Sequence, residues 1–255
     1  MVSEPESAAP GGYDALAQAK ELLRSVRAGA LATIVPASGS PFASLVNVAT
    51  LPDASPILLM SRLAAHTRHL DADPRLSLLL AKTGPGDPLT HPRITIMGRA
   101  ACVLEPDARQ MLKTRFLAKH PDSALYADFA DFSFWRVSME EAHLNGGFAR
   151  AAHFKAAALL TPIDGAEELI SAEPELLTEL NGRRAGEIAL LAAGLAGLPP
   201  GDWRATGIDP EGMDLALREL TARIAFPRAA RTRAGVFELF SLIVEQARQA
   251  AGKTA

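Results

Sequence analysis

From Ala30 to His143 the chain is a succession of short apolar or alternating runs, each closed by proline or glycine. Ala30 to Val35 ends at Pro36 and the Ser38-Gly39-Ser40 turn. Phe42 to Leu51 lies between Pro41 and Pro52, and Pro52-Asp53-Ala54-Ser55 reads as a hairpin turn into Ile57 to Met60. Leu76 to Ala81, Arg93 to Val103 and Phe132 to His143 follow. Side chains alternate across a strand, so Ser44, Val46, Val48 and Thr50 share one face of the second run and Leu45, Asn47, Ala49 and Leu51 the other. Helical segments are few: about Tyr13 to Arg27, stopped by Gly29; Ala64 to Ala72, stopped by Asp73-Pro74; and a helix opened by Pro106 that runs to about Lys119. Many strands and little helix point to a small barrel with helical decoration.

The pattern changes after Leu160. Thr161-Pro162-Ile163-Asp164-Gly165 reads as a linker, followed by a helical region from Ala166 to Leu198 and a strand pair near Trp203 to Leu215, turned by Asp209-Pro210-Glu211-Gly212. A strand at Glu219 to Phe226 precedes the clearest helix in the chain, about Thr232 to Ala250, where Val236, Leu239, Phe240, Ile243, Val244 and Ala247 form one apolar stripe. The expected organisation is a disordered tail over residues 1–12, a barrel domain over 13–160 and a small α+β domain over 166–255.

Charge and composition narrow the function classes. A net charge of -3 supplies no global basic field, and 5% aromatic content supplies no stacking platform, so nucleic acid is not an expected partner. The single Cys102 excludes an intrachain disulfide and a multi-cysteine metal site, and its alternation with Ile94 and Ile96 reads as a buried, inert thiol. The longest apolar stretch, Ile188 to Leu198, is half the ~20 residues a membrane span needs, and Met1 to Gly12 lacks the features of a secretion signal. The expectation is a cytoplasmic protein with no membrane partner.

The densest chemistry lies at the junction of a strand and a short helix, Met60-Ser61-Arg62-Leu63-Ala64-Ala65-His66-Thr67-Arg68. Helix-start amides, hydroxyls and guanidinium forks together suit an anion such as phosphate; solvated surface arginines are the alternative. Arg93 and Arg99, on one strand face, either extend that site or are exposed strand charges. His66 and His69 stand i, i+3 apart but lack a third ligand, so no metal site is assigned. Neither a Gly-x-Ser-x-Gly turn nor a Gly-x-Gly-x-x-Gly motif is present, and no catalytic residue is assigned.

Phe42 to Thr50, Ser61 to Leu70, Asp73 to Leu79 and Pro92 to Ala100 resemble, in order, the pyridoxamine 5′-phosphate oxidase-related FMN-binding split barrel. Asp131-Phe132-Ser133, Leu144 to Ala151 and Thr206 to Leu215 are similar to its haem-utilisation (HugZ/HutZ-like) branch, which carries a C-terminal domain of unassigned function. The resemblance implies an α+β chain, a split β-barrel with a second, smaller α+β domain, assembled as a homodimer with FMN between subunits. It implies flavin contacts at Ser44, Val46 and Asn47, at Met60, Ser61 and Arg62, at Thr67 and Arg68, and at Arg93 and Thr95. The implied activity is an FMN-dependent oxidoreductase acting on a small molecule. Haem binding and a non-enzymatic role linked to tetrapyrrole metabolism are the alternatives. The first flavin strand lacks the basic residues of the true oxidases, which argues against vitamin B6 oxidation. The haem branch's Met-Asn-x-Asp-His stretch, at a helix start, reads Leu180-Asn181-Gly182-Arg183-Arg184 here. No histidine follows His153, so imidazole ligands to haem come only from His66, His69, His91, His120, His143 or His153. Every assigned flavin contact precedes Arg99, so the second domain reads as a structural companion.

Overall fold

Each alternating run becomes a strand because one set of its side chains has a core to enter. In the computed structural model, which describes residues 13–82, 84–147 and 150–252, α1 (Ala15–Ser25) leads into β1 (Ala28–Ile34), β2 (Pro41–Thr50) and β3 (Pro56–Ser61). Then come α2 (Ala65–Ala72), β4 (Arg75–Ala81), β5 (Arg93–Cys102), α3 (Pro106–Lys119), β6 (Phe132–Asn145) and β7 (Ala151–Lys155). The antiparallel order is β3-β2-β1-β4-β5-β6-β7, and β3 also pairs with β6, closing six strands into the barrel expected from the sequence. Leu31, Val46, Leu58, Met60, Leu78, Ile94, Ile96 and Leu144 fill its interior, and α1 adds Ala19, Leu22 and Leu23 to the same cluster. The tail expected over residues 1–12 lies outside the described residues, as do Phe148 and Ala149 of the 144–151 motif.

Two glycines show where the barrel is tight. A Cβ on Gly98 would lie 2.2 Å from the Ser138 carbonyl oxygen, at the point where the β5–β6 register shifts. Gly29, expected to stop the first helix, stands inside β1 instead. The helix ends at Ser25, and a Cβ on Gly29 would lie 2.8 Å from the carbonyl oxygen of Leu79 on β4. The glycine answers to a neighbouring strand, not to its own helix.

After α4 (Ala156–Leu159), α5 (Glu167–Arg183) and α6 (Ala185–Gly194), the chain forms a three-stranded antiparallel sheet of β8 (Arg204–Asp209), β9 (Gly212–Leu217) and β10 (Leu220–Ala225). The last helix, α7 (Arg233–Gly252), packs its predicted stripe with Trp203, Leu215 and Leu191 into a separate core. The Asn181 region is a helix end, not the helix start expected from the sequence. Asn181 bonds both polar atoms of its side chain to the backbone of Ala205 on β8, at 2.7 and 2.9 Å.

The second sheet meets the barrel through buried charge. Arg24 of α1 donates to the carbonyls of Leu51 and Pro52 and lies 3.3 Å from Asp209, which Arg223 also holds at 2.6 Å. These guanidinium groups hold the Asp209 carboxyl down to about 2 despite its burial. Arg115 of α3 donates to Glu173 of α5 and to the carbonyls of Thr50 and Ile208. Removing one member of a buried pair strands the other. Arg115→Met should therefore lower unfolding stability by roughly 3–5 kcal/mol in urea titrations, and adding Glu173→Gln should restore part of it.

Candidate functional site

β3 delivers Ser61 to the mouth of the barrel, and the turn 62–64 swings the chain into α2. The Thr67 hydroxyl donates to the Ser61 carbonyl at 2.7 Å, while the Ser61 hydroxyl donates to Asp131 at 2.6 Å. Histidines fasten α2 to the barrel: His66 Nδ1 lies 2.9 Å from the Ser44 hydroxyl, and His69 Nδ1 lies 3.0 Å from the Thr33 hydroxyl. Burial, with the nearby His69, pushes the His66 imidazole below its ordinary value, so it is neutral at pH 7. Arg62 and Arg68 donate to the carbonyls of Ala130 and Leu63 and are exposed, with no carboxylate partner among the described residues.

The structure thus gathers Ser44, Ser61, Arg62, Thr67 and Arg68 around α2. Val46 and Met60, from the same set, are buried in the barrel core. Asn47, Arg93 and Thr95 are elsewhere. Ser61 pairs with Phe132 at one end of β6, whereas Arg93 pairs with Asn145 at the other, roughly 40 Å of strand away. The arginines at α2 provide positive charge for an anion. The Asp131 carboxylate opposes one, and Thr67, fully buried, offers it no hydroxyl.

A second candidate surface is the outer face of the barrel. Cross-strand pairing lays Leu45, Ala30, Leu79, Thr95, His143 and His153 in one row from β2 to β7. Ala32 and Ala43 border it on one side and Ala28, Ala81 and Arg93 on the other. Leu45 is 77% exposed, and the alanines around it leave an apolar patch on β1, β2 and β4, with Asn47, Ser77, Glu141 and Lys155 also in the bordering rows. Arg93, whose guanidinium reaches the Leu89 and His91 carbonyls, stands diagonal to His143 across the β5–β6 ladder.

The six histidines differ in freedom. His66 and His69 hold α2, His91 bonds the Pro85 carbonyl, and His153 faces Glu141 at 3.2 Å. His120, the C-cap of α3, bonds the Val48 carbonyl at 2.9 Å and stacks on Phe116. Among the described residues, His143 is the histidine without a hydrogen bond or ion pair; its ring meets only His153. Sequence reasoning named Asp131 only as part of a family motif. Nothing in its sequence neighbourhood marks it as the partner of Ser61, 70 positions earlier.

Burial pushes the His120 imidazole down to about 4. Between that value and its ordinary ~6.5 the unfolded chain binds the extra proton, so stability rises with pH across this window and is lost on acidification through it. His120→Gln should flatten the pH dependence of the urea midpoint between about 4 and 6.5, leaving the slope from buried carboxylates below about 4 in place.

The family model described as pyridoxamine 5′-phosphate oxidase matches residues 15–146. The chain is 43% identical over 113 residues to the chloroplastic non-canonical haem oxygenase HOZ of Arabidopsis thaliana, a match covering 44% of this chain and 34% of that protein. It spans about a third of that relative's length. A protein of unknown function from Agrobacterium tumefaciens superposes with a TM-score of 0.82 at 34% identity, over 94% of this chain and 100% of that one. A haem-binding protein from Mycobacterium smegmatis superposes with a TM-score of 0.55 at 24% identity, over 94% and 99%, a likeness of fold. No helix among the described residues is long and apolar enough to cross a membrane.

Proposed function

Because the chain belongs to the pyridoxamine 5′-phosphate oxidase family, we propose that its barrel binds a cofactor, and that the cofactor is haem held on the outer face. The observation that carries this reading is His143, an exposed imidazole without a hydrogen bond or ion pair among the described residues, in one cross-strand row with Leu79 and Leu45 and with Arg93 diagonal to it. A porphyrin is flat and apolar with carboxylates at its rim. The face offers alanines and leucines for the ring, an imidazole for the iron and a guanidinium for a propionate. The haem oxygenase relative, matched over 113 residues, supports the same assignment. Bound haem supplies an iron centre for redox or oxygen chemistry, and His143 and Arg93 hold and orient it.

The same face needs a cover. Leu45 and its neighbours suit a second copy of the chain, and a two-fold dimer is the closed assembly such a face favours. Leu45→Glu places a charge in that interface. Light scattering should then fall from the dimer to the monomer mass of 27.0 kDa.

FMN remains a distinct reading with its own support in Arg62 and Arg68. It is ranked second because the Asp131 carboxylate stands beside the Ser61 hydroxyl. Titrating the purified chain separately with hemin and FMN decides between them. On the haem reading hemin gives a Soret band, and His143→Ala shifts that band and weakens binding by about tenfold or more, as expected if this imidazole would hold the iron. Hemin binding indifferent to His143→Ala, or tight FMN binding lost in Arg68→Ala, would overturn it.

A further inference from the structure

We propose that a recess between the β1–β2 edge and the turn after α3 binds a small zwitterionic amino acid. The recess has a volume of about 250 Å³, with Arg27, Asn47, His120, Asp122, Ser123 and Tyr126 in its lining. That is below the roughly 300–1,000 Å³ of drug-sized sites, so neither flavin nor porphyrin fits inside it.

His120 supplies the first argument. Its Nε2 lies 2.9 Å from the Val48 carbonyl, an acceptor only, so Nε2 carries the proton and Nδ1 presents a lone pair. The ring is 4% exposed, and Nδ1 has no partner among the described residues. Arg27 supplies the second. One of its terminal nitrogens donates to the Arg218 carbonyl, while the other has no hydrogen-bond or ion-pair partner among the described residues. A ligand carboxylate would satisfy that donor. Asp122 supplies the third. Its carboxylate is exposed and makes no ion pair among the described residues, with Arg27 or any other cation.

An anion alone meets Asp122, and a cation alone meets Arg27. A molecule carrying both charges answers both: its carboxylate goes to Arg27 and its ammonium to His120 Nδ1 and Asp122, while the hydroxyls of Ser123 and Tyr126, 2.8 Å apart, and the Asn47 amide complete the lining. The recess adjoins the outer face through Ala28 and Asn47, but its charged groups are not those of the haem reading, His143 and Arg93.

The test is an NMR titration of the full-length wild-type chain with L-alanine, following the His120 ring signals assigned by comparison with His120→Gln. A saturable shift of the His120 signals is expected. N-acetyl-L-alanine and L-alaninamide, which each lack one charge, should bind about tenfold more weakly, and Arg27→Gln should weaken alanine by a similar factor, the scale of one charged hydrogen bond. No saturable shift with glycine, alanine or serine would overturn the site. N-acetyl-L-alanine binding as tightly as alanine would overturn the zwitterion assignment. Because wild-type protein gives the primary readout, failure of a variant to fold does not blur the result, and hemin titration separates this outcome from that of the outer face.

Discussion

The barrel exists because β6 is long enough to serve three neighbours. Its 14 residues pair with β5 along most of their length, with β3 at the N-terminal end and with β7 at the C-terminal end. The β3–β6 pairing turns an open sheet into a closed one and removes the edge that β3 would otherwise expose. The bulge at Met97 and Gly98 lets β5 stay in register with so long a partner. Closure also separates the two candidate surfaces. The α2 mouth lies where β6 begins, and the Arg93 corner of the outer face lies where it ends. A single chain therefore does not join all the residues that the family resemblance assigns to one flavin.

The second domain is bonded to this barrel by charge rather than by a shared apolar core. Arg24, Arg115 and Lys119 enter the interface from the barrel side; Asp209, Glu173 and Arg223 enter from the other. Lys119 donates to the carbonyls of Arg24 and Val26 at the C-terminal end of α1, and burial pulls its amine down to about 7. An amine has at least two hydrogens in either protonation state, enough for both carbonyls. Such an interface is hard to dissolve, because the Arg24–Asp209 and Arg115–Glu173 pairs each join a buried ion to a partner in the other unit. Arg24 on α1 and Arg115 on α3 are buried where the second sheet meets the barrel.

The legible parts of the fold were those set by local periodicity. Strands β2, β4, β5 and β6 and helix α7 follow period-2 or period-3.6 patterns that need no knowledge of the neighbours. The unread parts were set from a distance. Gly29 looked like a helix stop because its real reason, the close approach of Leu79, lies 50 residues away. β7 is five residues with alternating partial burial and pairs only with β6, so its sequence carries almost no signal. The split between α5 and α6 at Arg184 has no proline or strong cap to announce it. For the site, the cluster at α2 was visible as a dense run of polar residues. The outer face was not, because Ala28, Ala30 and Ala32 on β1, Ala43 and Leu45 on β2 and Leu79 and Ala81 on β4 look like ordinary strand residues until pairing sets them side by side.

That distinction bears on how this family varies cofactor on one scaffold. A phosphate is recognised by a local motif, since helix amides, hydroxyls and arginines lie within a few residues of each other. A flat apolar ring is recognised by a surface, assembled from single residues on several strands, so a residue such as His143 on β6 belongs to no local motif. Here the local motif is compromised: Asp131 and the buried Thr67 take the hydroxyl chemistry inward, so that α2 is fixed to the barrel more firmly than it is open to an anion. Meanwhile the outer face keeps small side chains across three adjacent strands, which leaves a flat surface that neither a core nor a solvated sheet requires. A flat apolar face with a free imidazole is costly to leave in water unless something lies on it. On that physical ground the outer face, rather than the mouth at α2, is the cofactor site we propose.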